Sequence, residues 1–199
     1  MERALGEKLF LKAHRCSSPK CAMIRKPYKP GVHGKARRRS LSDYGVQLKA
    51  KQKLKLSYGL NEAQLRSIYE DVSGKSGATG DKIIETLERR LDNAIFRSGL
   101  ADSRIMARHF ITGGHFVVNG RRTLSPSYGV TPGDVFSVRE ESKNLGPFKN
   151  LHQTLSKASM PNWLEVDAEK MAVKVRSIPP VDTDVTFNTG AVVEYFAKR

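Results

Sequence analysis

The chain has 199 residues, with 35 Lys and Arg against 20 Asp and Glu, and a formal charge of +15. That is room for one ordinary domain or two small ones, and no apolar run approaches the roughly eighteen residues of a membrane span. Two cysteines cannot make a disulfide scaffold and the N-terminus lacks an apolar signal core, so the composition reads as a cytoplasmic chain of a reducing compartment.

The excess charge is concentrated at one end. Residues 1–60 hold 16 Lys and Arg against three acids (Glu2, Glu7 and Asp43), and the remainder is nearly balanced. So lopsided a field calls for a polyanionic partner. An anionic membrane is the rival to nucleic acid, but it wants a basic helix with bulky apolar residues opposite. The stretch Arg25–Ser40 (RKPYKPGVHGKARRRS) has two prolines and two glycines instead, and reads as an extended arm that orders on its partner.

Ser42 or Asp43 caps a helix to about Tyr58, closed by Gly59, whose exposed side is expected to carry Gln47, Lys51 and Lys55, with Lys49 and Lys53 beside them. Asn61 caps the next helix, with Leu65, Ile68, Tyr69 and Val72 as a buried stripe and Gly74 at its end. After the SGKSGATG loop, Thr79 or Asp81 opens a third helix expected to run unbroken to Gly99. A short fourth helix starts at Asp102 or Ser103 and stops at Gly113-Gly114, with Ile105, Ala107, Phe110 and Ile111 as its core side. The period then changes. Phe116-Val117-Val118 is strand-like, Asn119-Gly120 is a strong hairpin turn, and Thr131–Asp134 is a second turn before a strand alternating from Val135 to Val138. A helix is expected near Phe148–Lys157, and strands at 163–166 and 171–175; residues 192–196 fit either a strand or a closing helix.

Catalytic chemistry is missing. There is no glycine-rich phosphate loop, no nucleophile elbow and no His-x-x-x-His metal pair, so no enzyme activity, cofactor or small-molecule substrate is expected. Cys16 and Cys21 have the spacing of half a zinc knuckle. A closed site needs four ligands, and the nearby His14 and His33 lack knuckle spacing, so the pair reads as two free thiols in a turn.

The sharpest binding signal lies in residues 90–138. The cap at Asp102-Ser103 presents free helix N–H groups, Arg104 and Arg108 share a helix face, and the following hairpin presents His115, Asn119, Arg121 and Arg122, with only Asp92, Asp102 and Asp134 as acids nearby. A basic, amide-rich surface with few flat aromatics suits structured RNA held by shape and backbone.

This segment resembles the RNA-binding domain named for the fourth protein of the small ribosomal subunit. The stretches GEKLFLK, RCSSPKCA, RKPYKPGVHG, LSDYGVQLKAKQKLKLSYGL, LERRLDNAIFRSG and NWLEVD…VVEYFAKR extend the likeness to the bacterial family of that ribosomal protein over nearly the whole chain. The resemblance implies an α+β fold in which a mainly helical domain carries an inserted small α/β RNA-binding module. Its parts would be a basic irregular arm (1–40), a helical domain (41–90, completed by about 178–199), and the module with a following α/β segment (91–177). It implies a primary rRNA-binding protein that nucleates assembly at a 5′-region junction, lies near the mRNA entrance, contributes to translational accuracy, and neighbours small-subunit proteins three and five. Arg37, Arg38 and Arg39 match the family's basic stretch by the mRNA entrance. Tyr44, Gln47, Lys51 and Lys53 match its rRNA-facing helix, and Arg104, Arg108, His115, Asn119, Arg121 and Arg122 match its module. Zinc-bearing relatives have a second cysteine pair just upstream of GEKLFLK, which this sequence does not show. The alternatives are a free RNA-binding regulator, or an RNA-modifying protein that uses the same module.

Overall fold

Ser42 opens the longest helix as its composition demands: its hydroxyl accepts the Gly45 N–H at 3.3 Å. The computed structural model describes residues 1–36, 40–149, 151, 155, 161–180 and 187–198, all but the His14 side chain. The described chain divides into two compact units, Met1–Ile84 with Asp182–Arg199, and Glu85–Val181.

The first unit is helical. Three short helices, α1 (Glu2–Leu5), α2 (Ala13–Ser17) and α3 (Ala22–Arg25), occupy the N-terminal stretch expected to be irregular. Then come α4 (Asp43–Ser57) and α5 (Glu62–Ser73). α4 closes through the left-handed Gly59 (φ +63°), the conformation glycine adopts without Cβ strain. Asn61 and Gln64 form a reciprocal capping box at the start of α5. The C-terminal stretch resolves its ambiguity as a helix, α10 (Thr189–Ala197), capped by the Asn188 side chain on the Ala191 N–H. It packs on α4 and α5, with Tyr69 stacked on Phe196 at 4.9 Å and Leu54, Tyr58, Leu65 and Val192 buried around it. A strand here would have left those aromatic faces in water.

Two helices stand where the sequence suggested one: α6 (Thr79–Glu88) and α7 (Leu91–Arg97). Arg90 between them is extended and bridges Gly129. The Leu91 and Asp92 N–H groups donate to the Tyr128 and Pro126 carbonyls, and Val130 N–H donates to Arg89 O. A loop some forty residues downstream thus captures the backbone that a continuous helix would have used, a tertiary override of local periodicity.

The rest of the second unit is α8 (Arg104–Thr112), five antiparallel strands and the short α9 (Glu140–Lys143). The strands are β1 (Phe116–Val118), β2 (Arg121–Arg122), β3 (Val135–Val138), β4 (Leu164–Asp167) and β5 (Ala172–Val175), ordered β2-β1-β3-β5-β4. Register pairs Phe116 with Val138, Val118 with Phe136, and Phe136 with Val173, which puts one face against Leu91, Ile95, Ala107, Ile111 and Phe148. The architecture is α+β. Ile105, expected in the core, is exposed instead, because α8 buries only Ala107 and Ile111 fully. Most of the helix expected near 148–157 lies outside the described residues. No helix among the described residues is long and apolar enough to cross a membrane.

Candidate nucleic-acid interface

The hairpin of the second unit is built around Asn119, which takes φ +50° in a turn that needs positive φ at two positions; Gly120 supplies the other at +76°. The Asn119 side chain then locks the next turn in place. Its Nδ2 donates to Asp134 Oδ1 at 2.8 Å and its Oδ1 accepts the Val135 N–H at 2.9 Å. Asp134 also accepts the Thr131 N–H and hydroxyl at 2.8 and 2.9 Å. Burial pushes the Asp134 carboxyl up, but the hydrogen bonds from Asn119 and Thr131 outweigh it and hold the group below its ordinary range. Asn119 is therefore committed to the fold at both ends of its amide. What the hairpin presents to solvent is β2, with Arg121 and Arg122 both exposed.

α8 begins as expected, with Ser103 Oγ accepting the Met106 N–H at 3.2 Å. Its two arginines are not open charges, however. Glu88, 1% exposed, accepts Asn93 Nδ2 at 2.8 Å and Arg97 Nε at 3.2 Å, and lies 3.9 Å from Arg104 Nη2. Arg104 Nε donates to Asn93 Oδ1 at 2.8 Å, with its guanidinium over the Phe96 ring. Asp92, 2% exposed, receives Arg90 Nη2 at 2.9 Å and Arg108 Nη2 at 2.8 Å. Arg104 and Arg108, expected on the basic binding surface, thus also face buried carboxylates that balance them. Glu88, Asn93 and Arg97 escaped the sequence reading, which assigned the whole stretch to one apolar stripe. The signal available was LERRLDNAIFR itself, with charges inside the hydrophobic period. His115 is half-buried between Phe110 and Phe148, and its Nδ1 lies 3.0 Å from Ser142 Oγ.

In the first unit, α4 turns an unexpected face inward. Gln47 and Lys51 are buried, as are Leu54 and Ser57. Gln47 Nε2 donates to Glu194 Oε2 at 2.8 Å, and Lys51 pairs with Glu62 beneath the Tyr195 ring, 4.2 Å from its centroid. The expected exposure of Gln47 and Lys51 is thus corrected, because α10 covers that side of α4. Burial raises the Glu62 carboxyl, yet Lys51 and Lys55 together bring it below its usual value. Lys49 and Lys53 pair with Glu7 at 2.8 and 2.9 Å, which lowers that carboxyl in turn. Tyr44 is half exposed beside Tyr195. Arg37, Arg38 and Arg39 lie outside the described residues. Near the N-terminus, Arg3 and Lys35 each lie over the Tyr28 ring, at 4.9 and 5.3 Å.

Cys16 and Cys21 are both buried and free. They line a cavity of about 440 Å³ with Glu2, Lys12 and Arg15. Cys16 Sγ faces Glu2 Oε2 at 3.8 Å and accepts the Lys12 N–H at 3.4 Å. Among the described residues no three His, Cys, Asp or Glu side chains gather to hold a metal.

Two family models match end to end: the ribosomal protein S4/S9 N-terminal domain over residues 1–88 and the S4 domain over 89–136. The chain is 47% identical to small ribosomal subunit protein uS4 of Magnetococcus marinus over 98% of its own length and 94% of the relative's. The chain belongs to the uS4 family. Its uS4 relatives in Gloeobacter violaceus and Thermus thermophilus are 45% and 44% identical over the same shares. The S4-domain match covers α7, α8, the β1–β2 hairpin and the Thr131–Asp134 turn, the segment whose exposed cations are Arg121 and Arg122.

Proposed function

We propose that this uS4-family chain is a structural, non-catalytic component of the small ribosomal subunit in the cytoplasm, and that it binds rRNA directly. The observation that carries the reading is kinship to uS4 proteins over 98% of the chain. The charge distribution supports it, since residues 1–60 bring 16 cations against three acids. Arg121, Arg122 and the exposed part of Arg108 meet RNA from the second unit. Tyr44 and Lys53 meet it from the first. Arg104, His115, Asn119, Gln47 and Lys51 keep those contacts in place through the internal bonds they make. The arm with Arg37, Arg38 and Arg39 lies toward the mRNA entrance, where it bears on decoding accuracy, and small-subunit proteins three and five are its neighbours. Binding works by neutralising phosphates and releasing counterions, with the rigid hairpin selecting RNA shape. The protein acts early, at a 5′-region rRNA junction.

Quantitative mass spectrometry of purified small subunits tests this. One copy per subunit is expected; a chain found well below stoichiometry, or only in the soluble fraction, contradicts it.

A further inference from the structure

We propose that Phe10 is an RNA contact, an exposed ring that stacks on one unpaired base of folded RNA. The proposal rests on the reading of this chain as an RNA-binding protein and names one contact of the first unit.

Phe10 is 58% exposed and takes φ +53°, the left-handed region that bulky residues rarely enter. Ala13, Asn119 and Met171 share a positive φ. Ala13 is small, Asn119 sits in a turn that needs it, and Met171 is buried, so of these Phe10 alone holds a large apolar side chain in water. Such a conformation persists where its surroundings impose it. Here they do. Glu7, just before it, pairs with Lys49 and Lys53 at 2.8 and 2.9 Å. The Leu9 N–H donates to Glu2 Oε1 at 2.8 Å, and Leu11 lines the cavity beside Cys16 and Cys21. Both leucines are half-buried, while Lys8, Phe10 and Lys12 are exposed. The segment is pinned on either side of the ring, and the ring is left outside.

The charge around the ring says what meets it. Glu2 and Glu7 are the acids of residues 1–36, and both are engaged by bonds within the chain. Lys8, Lys12 and Arg15 are exposed beside the ring in sequence. A flat apolar ring among cations suits a nucleotide, with base against ring and phosphates against the charges. An apolar pocket of another protein would take the ring but give the cations nothing to neutralise them. The bases free to stack in folded RNA are those splayed from loops and bulges. Because the backbone already fixes the segment, less freedom is lost on contact.

The test measures affinity of the full chain for a 5′-region rRNA transcript at several salt concentrations. Phe10→Ala should weaken binding about tenfold, the worth of one base–aromatic stack. The slope of log affinity against log salt should stay at the parent value, because no cation is removed. Lys12→Ala should instead shrink that slope by about 0.7–0.9. Phe10→Leu, apolar without a flat face, should lose as much as Phe10→Ala. Phe10→Trp should bind at least as tightly as the parent chain, and the transcript should quench its added indole emission. Circular-dichroism melts check the fold of each variant, and the contrast of Phe10→Leu with Phe10→Trp carries the test if Phe10→Ala melts early. Parent affinity in Phe10→Ala or Phe10→Leu would overturn the proposal and leave the ring to a protein partner. A shrunken slope in Phe10→Ala, an unchanged one in Lys12→Ala, or weak binding of Phe10→Trp with unquenched emission would overturn it too. A parent chain that ignores the transcript would remove the functional reading itself, and the proposal with it.

Discussion

Asp92 is the residue whose loss should cost the second unit most. Its carboxylate is 2% exposed and takes Arg90 Nε at 3.2 Å, Arg90 Nη2 at 2.9 Å and Arg108 Nη2 at 2.8 Å. Arg90 itself is 7% exposed, so Asp92→Ala leaves a guanidinium buried without its counter-charge. Breaking a buried pair from one side costs about 3–5 kcal/mol. One kcal/mol moves the melting midpoint by about 4–8 °C in a domain of about 100 residues, so a fall of at least about 12 °C is expected. Arg108→Ala is the control. It leaves Asp92 bonded to Arg90, and its own side chain is 31% exposed, so about 1 kcal/mol and a few degrees should be lost. The assay is a thermal melt followed by tryptophan emission: Trp163 is the one tryptophan, buried in the second unit, and reports that unit alone. If Asp92→Ala melts within about 3 °C of the parent chain, the carboxylate is not the counter-charge described here.

Two further perturbations follow from local geometry. The Asp134 carboxyl sits below its ordinary value in the folded chain, so its stabilising effect is complete above the unfolded value near 3.8 and is lost as pH falls through the folded one. Trp163-monitored denaturation from pH 7 to pH 3 should show the stability gap between the parent chain and Asp134→Asn narrowing with acid, and a constant gap would refute this. At Gly80 a Cβ would meet Thr189 Cβ and Oγ1 at 2.8 Å, so Gly80→Ala should cost about 1–3 kcal/mol in circular-dichroism melts despite alanine's better helix propensity. Gly74→Ala, which meets nothing within 4 Å, should be near neutral, and equal stability of the two variants would count against the packing of α6 on α10.

Features set by neighbouring residues were readable in advance. The Ser42, Asn61 and Ser103 caps, the Asn119-Gly120 turn and the Phe136/Val138 alternation depend on chemistry within four residues, and each is found where the pattern puts it. Features set by distant contacts were not. The break at Arg90 comes from a loop near Gly129. Lys51 is buried because the Tyr195 ring covers it, and Gln47 because Glu194 reaches it from the far end of the chain. Periodicity reads a lysine at a four-residue step as solvated, since nothing in its own helix reveals a carboxylate waiting across the packing face. For the same reason the carboxylates that Arg104 and Arg108 face, Glu88 and Asp92, are hidden from it. Arg121 and Arg122 are exposed as the hairpin pattern predicts, because a two-residue edge strand at a hairpin tip has little to be buried against.

The central claim is electrostatic capture of folded RNA, and a salt titration of binding to a 5′-region rRNA transcript tests it most directly. With about six basic side chains on phosphates, log affinity should fall against log salt with a slope of about −4 to −5. A slope near zero, or no preference for that transcript over an unrelated folded RNA, would contradict the account.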